Sequence, residues 1–193
     1  MYIRIPLWYN IYNLTKQEGI IMDFLNFAKE RYSVRKFENK HIEQDKIDLI
    51  LKAGHIAPTG CNNQPQRILV INNDASIEKL KLCTKCHFDA PTAMLVCYNK
   101  DESWQRRYDG ALSAPVDASI VTTHMMLMAH SLGIGSTWVM HFDPEAMKNQ
   151  FNIPDNIVPH ALLVMGYPHK DAKPFEMHNI YRDINDVVYY DTF

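Results

Sequence analysis

The sequence predicts an α/β or α+β sandwich, built as one domain from about Met22 onward. Three observations predict it. Hydrophobic residues make up 47% of the 193 residues, enough for a packed core. Helix-period segments alternate with short strand-like runs. No internal repeat, linker or low-complexity stretch divides the chain.

Residues 1–21 hold aromatics and Asn without a clear period and form an N-terminal extension to the domain at 22–193. Two readings stay open for it: translation begins at Met22, or the stretch is an arm that packs on a partner subunit. From Asp23 to about Arg31, Phe24, Leu25, Phe27 and Ala28 suit a short helix. Residues 43–57 form a clearer one, with Ile47, Ile50, Leu51 and Gly54 at helical spacing and Pro58 and Gly60 ending it. "RILVINN" (67–73) is a buried strand and "SIEKLKLC" (76–83) a helix. "TAMLVCYN" (92–99) is a second buried strand, entered through Pro91. Residues 116–133 form a long apolar helix closed by Gly133, its methionines core filler. "GSTWVMHF" (135–142) is strand-like. Asp143-Pro144 supplies a cap and a proline for the first helical position. "PHALLVMGYP" (159–168) is the last buried strand.

Composition excludes several classes. Twenty basic and 22 acidic side chains give a net charge of −2, no footprint for nucleic acid. The apolar runs are too short and interrupted to span a bilayer. The N-terminus is a poor secretory signal, broken by Pro6, Asn10 and Asn13. A cytoplasmic, reducing setting is expected, with Cys61, Cys83, Cys86 and Cys97 as thiols.

Four stretches carry candidate chemistry. "CTKCH" (83–87) has the spacing of a haem attachment site, half a zinc site or a dithiol pair. Haem attachment normally needs export, and structural zinc needs a second paired motif that this chain lacks. "RYSVRKF" (31–37) spaces Arg31, Ser33 and Arg35 two apart, so an extended segment points them to one side. Two guanidiniums and a hydroxyl suit a phosphate or carboxylate; on this heptapeptide alone a charged edge strand in solvent is the more ordinary reading. "APTGCNNQPQ" (57–66) is a rigid turn studded with Thr59, Asn62, Asn63 and Gln64. Its amides suit a heteroaromatic edge or ribityl chain, or an ordinary Asx-type loop. "SLGIGSTW" (131–138) lacks the third glycine and the strand context of a dinucleotide fingerprint. No Walker, G-x-S-x-G or H-E-x-x-H sequence occurs.

Taken together, these pieces resemble the nitroreductase family of FMN enzymes. "RYSVRKF" looks like its N-terminal Arg-x-Ser-x-Arg/Lys segment and "APTGCNNQPQ" like its Pro-Ser-x-x-Asn-x-Gln-Pro turn. Residues 104–145 are similar to the central helix and following strand of a bacterial subgroup, and "ALLVMGYP" and "YRDINDVVYYDTF" to the closing strand and C-terminal Arg segment. The resemblance covers roughly residues 23–190, in order.

The resemblance implies an α+β three-layer sandwich with a central mixed sheet, in an intertwined homodimer with FMN in its interface. Arg31, Tyr32, Ser33 and Arg35 match the segment that holds the phosphate and ribityl end, and Arg182 the arginine that closes on the same phosphate. Pro58, Thr59, Gly60 and Asn62 match a turn reaching the flavin from the other subunit, with Gln64 in the same turn. Trp138, Val139, Met140 and His141 match the backbone passing the flavin N5 edge. No side chain is expected to act as a catalytic acid or base, because the hydride chemistry belongs to the cofactor. No metal ligand is expected. NADH or NADPH would reduce the flavin, and a nitroaromatic, quinone or enone would reoxidise it by a ping-pong route. The alternatives are a flavin- or partner-binding protein with little turnover, or a metal or haem module on CTKCH. Gln66 stands where the family commonly has Trp, Cys61 replaces a small residue, and Met140 and His141 stand where glycine or an acidic residue is frequent. His87 is an expected active-site neighbour.

Overall fold

A computed structural model describes residues 23–193. The proposed extension 1–21 and the start at Met22 lie outside the described residues. The chain divides between Arg31 and Tyr32 into two compact units. The first contributes helix α1 (Phe24–Glu30). Asp23 caps it, its carboxylate accepting from Leu25 N at 3.0 Å and Asn26 N at 3.4 Å.

The second unit holds four helices: α2 (Gln44–His55), α3 (Asp74–Cys83), α4 (Ala114–Ser131) and α5 (Pro144–Phe151). Its strands are β1 (Gln66–Ile71), β2 (Thr92–Asn99), β3 (Gly135–Val139) and β4 (Ile157–Gly166), in the order β1-β2-β4-β3. All three pairings are antiparallel, so the mixed sheet expected from the resemblance is corrected. The one parallel contact among the described residues is a bridge from Ser33 to Ser136. The cause lies in the connections. α3 leads the chain away from β1, but residues 84–91 bring it back. β2 therefore enters where β1 left, with Ala93 opposite Ile71.

Two cores result. Alternate residues of β2 and β4 point to opposite faces. Met94, Val96, Leu163 and Met165 pack with Ile47 and Ile50 of α2 and Val121 and Met125 of α4. Ala93, Leu95, Leu162 and Val164 pack with Ile77 and Leu80 of α3 and Met147 of α5. This is the helix–sheet–helix layering that the resemblance implies. It also explains why β2 reads as an unbroken apolar run: a strand covered on both faces has no polar side.

Local chemistry sets the element ends. An Asn73–Ser76 capping box opens α3. Pro115 lies in the first turn of α4, and Asp143 caps α5 by accepting from Glu145 N and Ala146 N. α4 is apolar around its circumference, yet Thr123, His124 and Leu127 stay only half-buried. At α2, Tyr167 donates its hydroxyl to Glu43 and accepts from Lys46 Nζ at 2.6 Å. That bond holds the Glu43 carboxyl down at about 2. Among the described residues, no helix is long and apolar enough to cross a membrane.

Segment 33–38 docks against β3 and the chain after β4. Val34 N donates to Ser136 O at 3.0 Å, Thr137 Oγ1 donates to Val34 O, and Glu38 N donates to Tyr167 O at 2.8 Å. Gly135 makes the approach possible, since a Cβ there would lie 2.7 Å from Val34 Cγ2 and 3.0 Å from Pro168 Cγ. Gly135→Ala is therefore expected to destabilise the fold by about 1–3 kcal/mol through overpacking, read from urea denaturation midpoints.

Candidate functional site

Ser33 and Arg35 lie in the docked segment, and Tyr32 directly precedes it. Val34 turns inward and is 2% exposed. Its neighbours Ser33 and Arg35 fall on the opposite side, as extended backbone requires. The Arg35 guanidinium has no carboxylate partner among the described residues. Its Nη1 donates to Ser33 O at 3.4 Å, and Cζ lies 6.0 Å from the Phe88 ring centroid. Tyr32 meets His178 edge-on at 6.1 Å between ring centroids. Arg31 belongs to the first unit, where its N–H donates to Phe27 O at 3.3 Å and closes α1.

The expected N5 segment divides at the end of β3. Trp138 and Val139 stay in the strand, and Val139 is 5% exposed. Met140 and His141 leave it, so the predicted strand 135–142 ends three residues early. The reason is the CTKCH segment. Thr84 donates its hydroxyl to His141 O at 2.5 Å, and Asp143 N donates to Cys83 O at 2.8 Å. These bonds pull the chain away from β4 and leave Met140 and His141 exposed. A cleft of about 340 Å³ runs between the two segments, lined by Lys81, Thr84, Lys85, His141 and Asp143. Loop 84–90 continues to His87, which is half-buried and accepts from Asp89 N, and to Phe88 beneath Arg35. Three segments distant in sequence thus meet at the β3 edge.

The Pro58–Gln64 turn lies elsewhere. Gly60 N donates to Asp117 in the first turn of α4 at 2.9 Å. Thr59 Oγ1 accepts from Gln64 N at 3.1 Å, and Asn63 Nδ2 donates to Glu102 O at 3.1 Å. Cys61, Asn62 and Gln64 all have positive φ, at 51°, 57° and 50°. Each such non-glycine costs about 1 kcal/mol or more. A Cβ on Gly60 would sit 2.7 Å from Ser113 Oγ, so glycine is required there. The turn is at the N-terminal end of α4, whereas Ser33 pairs with Ser136 just beyond its C-terminal end. An 18-residue helix is about 27 Å long at 1.5 Å per residue. One protomer therefore does not bring the two predicted half-sites together. Arg182 lies in an exposed C-terminal segment and makes no hydrogen bond or ion pair among the described residues.

Sequence reasoning did not single out Thr84, which holds the His141 carbonyl, or Asp117, which holds the turn. A lone carboxylate in an otherwise apolar helix was the available signal for Asp117.

The thiols are ordinary. Cys83 is 3% exposed, donates to Lys79 O, and has its pKa raised by burial and then by the Asp143 charge. Burial pushes the Cys97 thiol up to about 12. No group of three or more His, Cys, Asp or Glu side chains able to hold a metal occurs among the described residues.

This build, with an arginine-bearing segment docked on the edge strand of a twice-covered antiparallel sheet, is that of a nitroreductase-like oxidoreductase. The sequence pattern of the nitroreductase family matches residues 28–96 and 87–167, and the chain belongs to that family. A Methanothermobacter thermautotrophicus protein, provisionally named NADH dehydrogenase/NAD(P)H nitroreductase, is 30% identical over 157 residues, covering 76% of this chain and 78% of its own. The crystal structure of a nitroreductase family protein from Clostridium difficile 630 superposes with a TM-score of 0.84 at 41% identity, covering 89% of this chain and 100% of that one. An FMN-dependent nitroreductase of Clostridium difficile R20291 shares the fold, with a TM-score of 0.70 at 23% identity over 88% of this chain and 99% of that one.

Alkylation at pH 8 is expected to label Cys61 and Cys86 in the folded protein, with buried Cys83 and Cys97 reacting only on unfolding. Mass spectrometry of the labelled peptides checks this. Labelling of Cys83 as fast as Cys61 would mark a reactive thiol.

Proposed function

We propose that the protein is an FMN-dependent oxidoreductase that takes hydride from NADH or NADPH and reduces an electron-poor acceptor of the nitroaromatic, quinone or enone class. The observation that carries this reading is the meeting at the β3 edge. There Ser33 and Arg35 lie beside Phe88, and the same loop holds the backbone of His141.

The donor set fits a phosphomonoester. Arg35 presents a planar cation without a carboxylate partner among the described residues, and the Ser33 hydroxyl lies on the same side. Arg31 and Arg182 are assigned to the same phosphate. FMN, when bound, supplies the hydride chemistry between the nicotinamide and the acceptor. The chain's own tasks are to hold, orient and shield. Backbone N–H groups from Trp138 to His141 are assigned to the N5 edge, where a fixed donor favours negative charge on a ring. Thr84 keeps that backbone from relaxing into the sheet. Asn62 and Gln64 are assigned to the ring edge or ribityl chain.

The separation of the half-sites favours a homodimer, in which a second copy sets its Pro58–Gln64 turn against the first copy's β3 edge. Uncovered apolar surface supports this reading. Phe175, Ile180, Tyr181, Ile184 and Tyr190 in the C-terminal segment are all more than 60% exposed. A covering partner of the same sequence satisfies them by symmetry.

The purified protein is expected to sediment as a dimer carrying FMN. Anaerobic NADH or NADPH should bleach the flavin, and an acceptor series should give parallel steady-state lines. FMN that neither nucleotide reduces would leave a flavin-holding role instead. Arg35→Ala and Arg182→Ala should each weaken FMN binding by about tenfold or more, since each removes a charged hydrogen bond of about 1.5–3 kcal/mol. Full retention of FMN by both variants would overturn the phosphate assignment.

A further inference from the structure

We propose that Asp117 is the positioning residue for the Thr59–Gln64 turn, and through it for the flavin contact assigned to Asn62 and Gln64. The second half rests on the nitroreductase reading.

α4 carries a single acidic residue and no lysine or arginine. That residue, Asp117, is 3% exposed, and the helix around it is apolar. A buried carboxylate is costly unless hydrogen bonds satisfy it. Here they do. Oδ1 accepts from Gly60 N at 2.9 Å, and Oδ2 accepts from Ser113 Oγ at 2.8 Å. Ser113 is in turn fixed by its N–H to Trp104 O at 2.9 Å. Packing α4 does not need the charge, since most of the other buried residues of the helix are apolar. What the charge reaches is one backbone N–H, at the point where the turn begins.

The turn needs such an anchor. Three of its residues hold positive φ without being glycine. Its internal bonds, Asn62 N to Thr59 O, Asn63 N to Gly60 O and Gln64 N to Thr59 Oγ1, close the loop upon itself. They do not tie it to the core. Asp117 ties its first half to α4, and Asn63 ties its second to Glu102 O. Strained backbone persists only where its surroundings over-determine it. Without the carboxylate, Gly60 is free to rotate, and the directions of Asn62 and Gln64 go with it.

The test compares Asp117→Leu, which keeps the branching at Cγ and loses both acceptors, with Asp117→Asn. The asparagine can still accept from Gly60 N and can donate to Ser113 Oγ. Thr122→Val is the control, because it removes a buried hydroxyl on α4 that bonds only Ala118 O, away from the turn. Amide exchange is read by NMR on the full chain without flavin, and FMN affinity is measured separately. In Asp117→Leu, exchange at Gly60, Asn63 and Gln64 should quicken about tenfold or more, and FMN affinity should fall by a similar factor. Asp117→Asn and Thr122→Val should stay within about threefold at both readouts. Should the leucine variant fail to fold, Ser113→Ala serves, with an expected quickening of about threefold. Unchanged exchange at Asn63 and Gln64 in Asp117→Leu or Ser113→Ala overturns the anchor. Quickened exchange with unchanged FMN affinity overturns its link to the flavin. A wild-type chain that binds no FMN overturns the nitroreductase reading, while exchange still decides the anchor.

Discussion

Met94 and Leu95 point to opposite faces of β2, and both are wholly buried. This strand cannot exist unless an apolar layer covers the sheet on each side. Everything else follows from that need. α2 and α4 cover one face, and α3 and α5 the other. Connections between layers must pass the sheet's edges and ends. That is where the polar loops collect, and where a cofactor can approach backbone without entering the core. At the β3 edge the arrangement is economical: one hydroxyl, Thr84, both ends the strand and shapes the exposed turn beyond it.

Much of this was legible in the sequence. β2 was readable because its apolar run is closed by Pro91 at one end and Asn99 at the other. α5 was readable from Asp143-Pro144 alone. Sheet direction was not, because it depends on how far loop 84–91 returns, and a loop of mixed composition carries no period. The same holds for β3. Its composition favours strand through Phe142, and only a tertiary hydrogen bond from Thr84 stops it at Val139.

The site divides along similar lines. The spacing of Ser33 and Arg35 survived because Val34 between them is buried, which fixes the alternation. The docking partner could not be read, since Thr137 in a strand looks like any β-branched residue until its hydroxyl is seen on Val34 O. CTKCH misleads in a useful way. Cys83 is buried packing, and the histidine accepts from Asp89 N within its own loop. The residue that acts is the threonine between them, which no motif would select.

Under the proposed dimer, the two half-sites at opposite ends of α4 have a genetic consequence. In a dimer that builds each site from both chains, a defect at Arg35 and a defect at Asn62 damage different halves. A mixed dimer of the two variants has one site with both defects and one site with neither. Two inactive alleles would then complement each other, restoring up to half the sites in each mixed dimer. Two alleles altered within the same half-site would not.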